Sequence, residues 1–276
     1  MTPLLTVDDL TVSLPTASGY VGVVRDASLT VGEGEIVGLA GESGSGKTMT
    51  SSAILGILPQ GARTSGTVAY EGRNLLTLPE RELSQVRGNR IAMVFQDPSA
   101  ALHPLLTIGT QITEHMRHHL GVSKSVAVER AVELLDQVRI ADPRKALRSY
   151  PHQFSGGMRQ RAAIAIALAC EPRLLIADEP TTALDVTVQA GILQLFDRLR
   201  DETGVSVLFI THDLGVLSTI ADRTYVFKDG SVVESGDTDD VLLRPTHEYT
   251  KALIASRAQS LAQERVAEAA AEGTQR

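Results

Sequence analysis

Eight residues constrain this chain more than any others. Gly41-Glu42-Ser43-Gly44-Ser45-Gly46-Lys47-Thr48 fills G-x-x-x-x-G-K-[ST] at every fixed position and directly follows the apolar run Ile36-Val37-Gly38-Leu39-Ala40. A strand, a glycine-rich loop and a helix in that order make a phosphate-binding loop. The close-set glycines let the backbone turn tightly and aim N–H groups inward. A β-phosphate then lies in that nest at the positive N-terminus of the next helix. Lys47 reaches the β- and γ-phosphates, and Thr48 offers a hydroxyl to Mg²⁺.

The 276 residues, 43% hydrophobic and 21% charged, are ordinary for a soluble globular protein and hold one large domain or two modest ones. A net charge of -7 argues against a sequence-independent grip on nucleic acid, which needs a basic face. With no Trp and 4% aromatics, nothing suggests a base-stacking platform either, so no nucleic-acid partner is expected. Cys170 is the only cysteine, which excludes a disulfide framework and a thiolate-only metal site within the chain and suits a reducing cytosol. Met1 to Asp9 has no basic region before its acids, so no signal peptide is expected. The longest apolar run, Ala162 to Cys170, is far shorter than the roughly 20 residues that span a bilayer.

Along residues 4–40, short β-prone segments (4–7, 10–14, 20–24 and 29–31) alternate with turn residues, predicting a small antiparallel sheet that leads into a core strand at 36–40. A helix is predicted over 47–55, a hairpin edge over 65–72 and a core strand over 91–95 that stops before Gln96-Asp97-Pro98. From about residue 100 the character turns helical, with Val128, Ala131, Val132, Leu135 and Val138 on one face. His115, His118 and His119 stand at i, i+3 and i+4, where they either share a face and bind a transition metal or form a solvated polar face. Ser155-Gly156-Gly157 opens a helix whose body is apolar all round and makes a second anion site at a helix N-terminus. The strand Arg173 to Ala177 delivers Asp178 and Glu179 at its C-terminal end, where open α/β sheets place their ligands. Asp178 suits a Mg²⁺ ligand, and Glu179 a general base or water-positioning group. A further core strand, Val205 to Ile210, ends at Thr211-His212.

In this order, the loop 41–48, Gln96, Ser155-Gly156-Gly157-Met158-Arg159-Gln160, Asp178-Glu179 with Asp185, and His212 resemble the nucleotide-binding subunit of ATP-binding-cassette (ABC) transporters over about residues 4–230. The resemblance implies an α/β P-loop NTPase of ABC type, with a mixed core sheet and flanking helices, an N-terminal antiparallel β-subdomain and a helical subdomain inserted at about 97–160. The ATPase domain is expected over 1–256, followed by a tail, 257–276, that is a marginal helix or disordered. By the same resemblance, Gln96 is a hinge glutamine that touches Mg²⁺ or water. Ser155, Gly156, Gly157 and Gln160 belong to a signature that meets the nucleotide in trans, Asp185 makes the dimer contact, and His212 is a switch beside the γ-phosphate. Two chains head to tail are then expected to bury two ATP molecules.

Tyr150 to Arg161 and Pro245-Thr246-His247-Glu248-Tyr249-Thr250-Lys251-Ala252-Leu253 look like the oligopeptide and dipeptide importer ATPases, a group that includes nickel and glutathione importers. This likeness implies an ATP- and Mg²⁺-dependent ATPase at the cytoplasmic face of a membrane. Its expected partners are a second cassette chain, two permeases and an extracytoplasmic solute-binding protein. The group's cysteine-rich segment is missing, so no iron–sulfur cluster is expected. Its adenine-stacking aromatic is replaced by Leu14, leaving Tyr20 as the substitute. The competing function is a cassette ATPase without a transport role, in DNA repair, translation or iron–sulfur assembly; the coiled-coil insertions or tandem cassettes common among such proteins are not visible here.

Overall fold

The computed structural model describes residues 3–182 and 184–256; the tail 257–276 lies outside the described residues. The strands β1 (Leu5–Thr16) and β2 (Gly19–Val31) form a long hairpin. Acids that read as breaks between short strands do not end them. Asp9 (φ 48°) and Asp26 (φ 49°) take the left-handed conformation that short polar side chains tolerate, and the pairing continues through register shifts. After β3 (Ile36–Ala40) the chain turns through the loop into α1 (Lys47–Leu55), which stops at Gly56. It then returns as β4 (Arg63–Tyr70) beside β1 and as the short β5 (Arg73–Asn74). These strands make an antiparallel sheet in the order β2-β1-β4-β5.

Beyond α2 (Glu80–Val86) and β6 (Ile91–Val94) comes a helical run: α3 (Pro98–Ala101), α4 (Ile108–Leu120), α5 (Lys124–Gln137), α6 (Pro143–Ala146) and α7 (Gly156–Leu168). The last five begin where a short polar side chain, Asp97, Thr107, Ser123, Asp142 or Ser155, accepts a hydrogen bond from a first-turn backbone N–H. On α5 the buried residues are Ala127, Ala131 and Leu135, whereas Val128 and Val132 are half-buried. The face is therefore offset slightly from the predicted one. Then follow β7 (Leu174–Asp178), α8 (Val186–Thr203), β8 (Ser206–Thr211), α9 (Leu214–Ile220), β9 (Arg223–Lys228), β10 (Ser231–Asp237), α10 (Thr238–Leu243) and a last described helix at 248–256.

The core sheet has the order β10-β9-β3-β8-β7-β6, parallel except for the β10 edge. Burial of β3, β7 and β8 on both faces explains their unbroken apolar sequences. Alternate residues divide between two cores. Leu175, Ala177, Val207 and Phe209 join the helices of one side, and Leu174, Ile176, Leu208 and Ile210 join α1 and the antiparallel sheet of the other. Phe209 meets Phe196 of α8 edge to face at 5.3 Å, and burial of each ring contributes roughly 2–3 kcal/mol.

Parallel pairing sets four strands level. Ala40 pairs with Thr211, Asp178 with Ile210, and Val94 with Ala177. The residues just beyond, Gly41, His212, Glu179 and Phe95-Gln96, therefore leave the sheet at one edge, the place where open α/β sheets bind ligands.

Candidate functional site

The loop after β3 closes around its own lysine. Lys47 is 4% exposed, and its Nζ donates to Gly41 O (2.7 Å), Glu42 O (2.8 Å) and Ser45 Oγ (3.3 Å). At Gly41 (φ 148°) a Cβ would lie 2.3 Å from the Phe227 carbonyl oxygen, so a side chain there would clash with β9. Burial pushes the Lys47 ammonium below its ordinary pKa, and the charges of Glu179, Asp178 and Glu42 pull it back up. The loop forms one wall of a cleft of about 740 Å³. Leu14, Val23, Gln96, Glu179, Thr182, His212 and Leu253 form the rest together with residues 42–44 and 46–49.

The end of β7 supplies both carboxylates, in different settings. Asp178 is 4% exposed and its Oδ1 has no hydrogen-bond partner among the described residues. Burial raises its pKa, while a hydrogen bond from Thr48 and the charge of Lys47 act the other way. Glu179 takes a left-handed backbone (φ 47°), an arrangement that costs on the order of 1–2 kcal/mol and is found at functional sites. Its N–H donates to Ile210 O at 2.9 Å, which ties the strained residue to β8. Glu179 Oε2 accepts from Gln96 Nε2 and from Thr182 Oγ1, each at 3.0 Å, and Oε1 lies 3.2 Å from His212 Nδ1. A carboxylate with three polar neighbours is thus fixed beside the phosphate loop.

The loop's amides and Lys47 suit a polyphosphate. Thr48, the orphaned Asp178 oxygen and the amide oxygen of Gln96 are hard oxygen donors of the kind Mg²⁺ takes. No group of three or more His, Cys, Asp or Glu side chains among the described residues is arranged to hold a metal ion. The His115 and His118 rings each pack edge to face on His119 with centroids 4.8 Å apart, and His115 Nε2 lies 3.1 Å from Gly88 O.

The signature residues lie apart from the cleft lining. Ser155 caps α7, its Oγ accepting from Met158 N at 3.3 Å, and Asp185 caps α8 by accepting from Val188 N at 2.9 Å. Residues 24–182 match the ABC transporter family. The chain belongs to this family. It is 51% identical over 255 residues to a probable peptide ABC transporter ATP-binding protein, y4tR, of Sinorhizobium fredii, covering 92% of this chain and 76% of the relative. It is 48% identical over 258 residues to the oligopeptide transport ATP-binding protein OppD of Bacillus subtilis, covering 93% and 72%. The dimeric structure of the bacterial ABC transporter cassette MJ0796 superposes with a TM-score of 0.76 at 30% identity, over 85% of this chain and 98% of that one. A post-hydrolysis dimer of the same cassette, with ADP and Pi bound, superposes with a TM-score of 0.75.

The sequence-predicted residues Gln160 and Tyr20 of this ABC ATPase lie outside the cleft lining. Gln160, expected to meet a nucleotide in trans, is 1% exposed in the single chain, and its Nε2 has no hydrogen-bond partner among the described residues. Tyr20 is 45% exposed and does not line the cleft; the Arg63 guanidinium sits 3.9 Å above its ring instead. Thr182, the neighbour of Glu179, and the cleft walls Val23, Met49 and Leu253 are not among the site residues that the sequence predicts. For Thr182 the only local signal is its spacing, three residues after Glu179 across Pro180. No pattern in the sequence marks the other three.

Proposed function

We propose that this chain is the ATP-hydrolysing subunit of an ABC importer for peptides or similar small solutes. The Glu179 cluster beside the phosphate loop carries this reading, and the peptide-transport names of relatives about half identical over nine-tenths of the chain support the cargo class. The loop amides and Lys47 would hold the β- and γ-phosphates, and Thr48, Asp178 and Gln96 would hold Mg²⁺. When bound, the ion neutralises charge on the phosphate oxygens. Glu179 orients and deprotonates the attacking water, and Gln96, Thr182 and His212 keep its carboxylate aimed. His212 also lines the cleft. Phosphate beside Lys47 and a cation beside Asp178 each offset a charge that burial disfavours.

Ser155, Gly156 and Gly157 close over the nucleotide of another cassette, and Asp185 makes the dimer contact. Residues 1–256 act as one ATPase domain with a helical arm at about 97–160. The second cassette is a paralogue or an identical copy. Two permeases and an extracytoplasmic binding protein complete the importer, and this chain sits at the cytoplasmic face as a peripheral subunit. No described helix is long and apolar enough to cross a membrane.

Mild-detergent pull-down from native membranes, followed by mass spectrometry, tests the reading. Two polytopic membrane proteins and a second cassette are expected, with Mg-ATP turnover by the complex that Glu179→Gln abolishes. Soluble partners alone, from membranes shown to be intact, would overturn the importer reading.

A further inference from the structure

The segment 245–256 has no task in the reaction proposed above. It is nevertheless tied firmly at its base. Glu234 of β10 accepts from Thr246 N (2.6 Å), Thr246 Oγ1 (2.8 Å) and His247 N (3.2 Å), and His247 Nδ1 accepts from Tyr249 N at 3.1 Å. From this anchor Tyr249 reaches the phosphate loop. Its hydroxyl accepts the Glu42 backbone N–H at 3.2 Å. Lys228 Nζ stands 5.0 Å from the centre of its ring, and Leu253, one turn later, walls the cleft.

The N–H that Tyr249 holds belongs to the peptide group joining Gly41 to Glu42. That group is planar, so its N–H and C=O turn together. Its carbonyl, Gly41 O, accepts from Lys47 Nζ at 2.7 Å. One hydroxyl, 207 residues further along the chain, thus orients the plane that in turn places the loop's cation. Gly41 supplies no side chain that could hold the plane locally. We propose that Tyr249 is a positioning residue for ATP: by fixing the Gly41–Glu42 peptide, the helix at 248–256 sets the place of Lys47 and hence the affinity of the loop for the nucleotide. The inference rests on the reading of this cleft as an ATP site.

Tyr249→Phe tests it, since the ring and its contact with Lys228 remain and only the hydroxyl is lost. Glu248→Ala, an exposed change on the same helix, serves as the control. The full chain is titrated with a fluorescent ATP analogue and Mg²⁺, and amide hydrogen exchange is followed by mass spectrometry. Loss of one net hydrogen bond predicts affinity about fivefold weaker in Tyr249→Phe. Exchange should quicken over 41–48 alone, thermal melting should fall by no more than about 4 °C from wild type, and the control should match wild type. In the assembled complex KM rises while kcat changes less than about twofold. Wild-type affinity and unchanged exchange in Tyr249→Phe would overturn the proposal and leave the ATP site standing. Faster exchange throughout the molecule would overturn it in favour of a purely structural role. Failure of the unaltered chain to bind the analogue would remove the ATP reading itself, and this inference with it.

Discussion

Single residues in this protein are set by what surrounds them rather than by their type. Cys170 is 5% exposed, and burial pushes its thiol from an ordinary 9.0 up to about 11. A raised thiol pKa means more protons retained in the folded state. At pH 8 the thiolate is then about one part in a thousand when folded, against about one in ten when unfolded. Alkylation by iodoacetamide at pH 8 is therefore expected to run at least about a hundredfold slower in the native chain than in denaturant, with the native rate still climbing past pH 9. Equal rates would place the thiol outside its packed setting. The same contrast explains which site residues are legible in the sequence. Lys47, Asp178, Glu179 and His212 could be found because each follows an apolar strand, and strand ends of a parallel sheet converge by topology. Thr182 and Tyr249 act through contacts with Glu179 and Glu42. For Tyr249, the approach across 207 residues exists only after the chain has packed.

Elements follow their local sequence closely, and the misreadings occur where backbone geometry overrides pattern. Acids in such segments look like turns, yet β1 and β2 absorb Asp9 and Asp26 as left-handed residues within the pairing. Periodicity locates α5 but sets its buried face slightly off, because Ala127 is fully buried whereas Val128 and Val132 are half-buried. A sharper case lies where α7 meets α8. A Cβ on Gly157 would fall 2.8 Å from Val188 Cγ1, whereas one on Gly156 would meet nothing within 4 Å. Gly157→Ala is expected to lose about 1 kcal/mol net, overpacking outweighing the gain in helix propensity, which lowers the melting temperature by roughly 2–4 °C. Gly156→Ala is expected to be neutral or slightly stabilising. Adding Val188→Ala should recover part of the Gly157→Ala loss beyond additivity in a double-mutant cycle measured by denaturant unfolding. Strict additivity would mean that the two helices do not meet there.

At the scale of the molecule, the ATP cleft of one chain is lined by the loop and the Glu179 cluster but not by Ser155, Gly156 or Gly157. A second cassette is the natural source of a matching signature, and the structural relatives include dimeric cassettes. Glu179→Gln should bind Mg-ATP without turning it over and so accumulate a two-cassette species. With the partner cassette present, light scattering is expected to give about twice the monomer mass in ATP and the monomer mass in ADP. A monomer in both would count against the closed dimer. The same cleft draws its walls from residues as distant as Leu14 and Leu253, on the first strand and the last described helix. A ribosome making this chain therefore releases the phosphate loop long before the pocket around it can exist. Nascent chains stalled short of Leu253 lack one wall of the site.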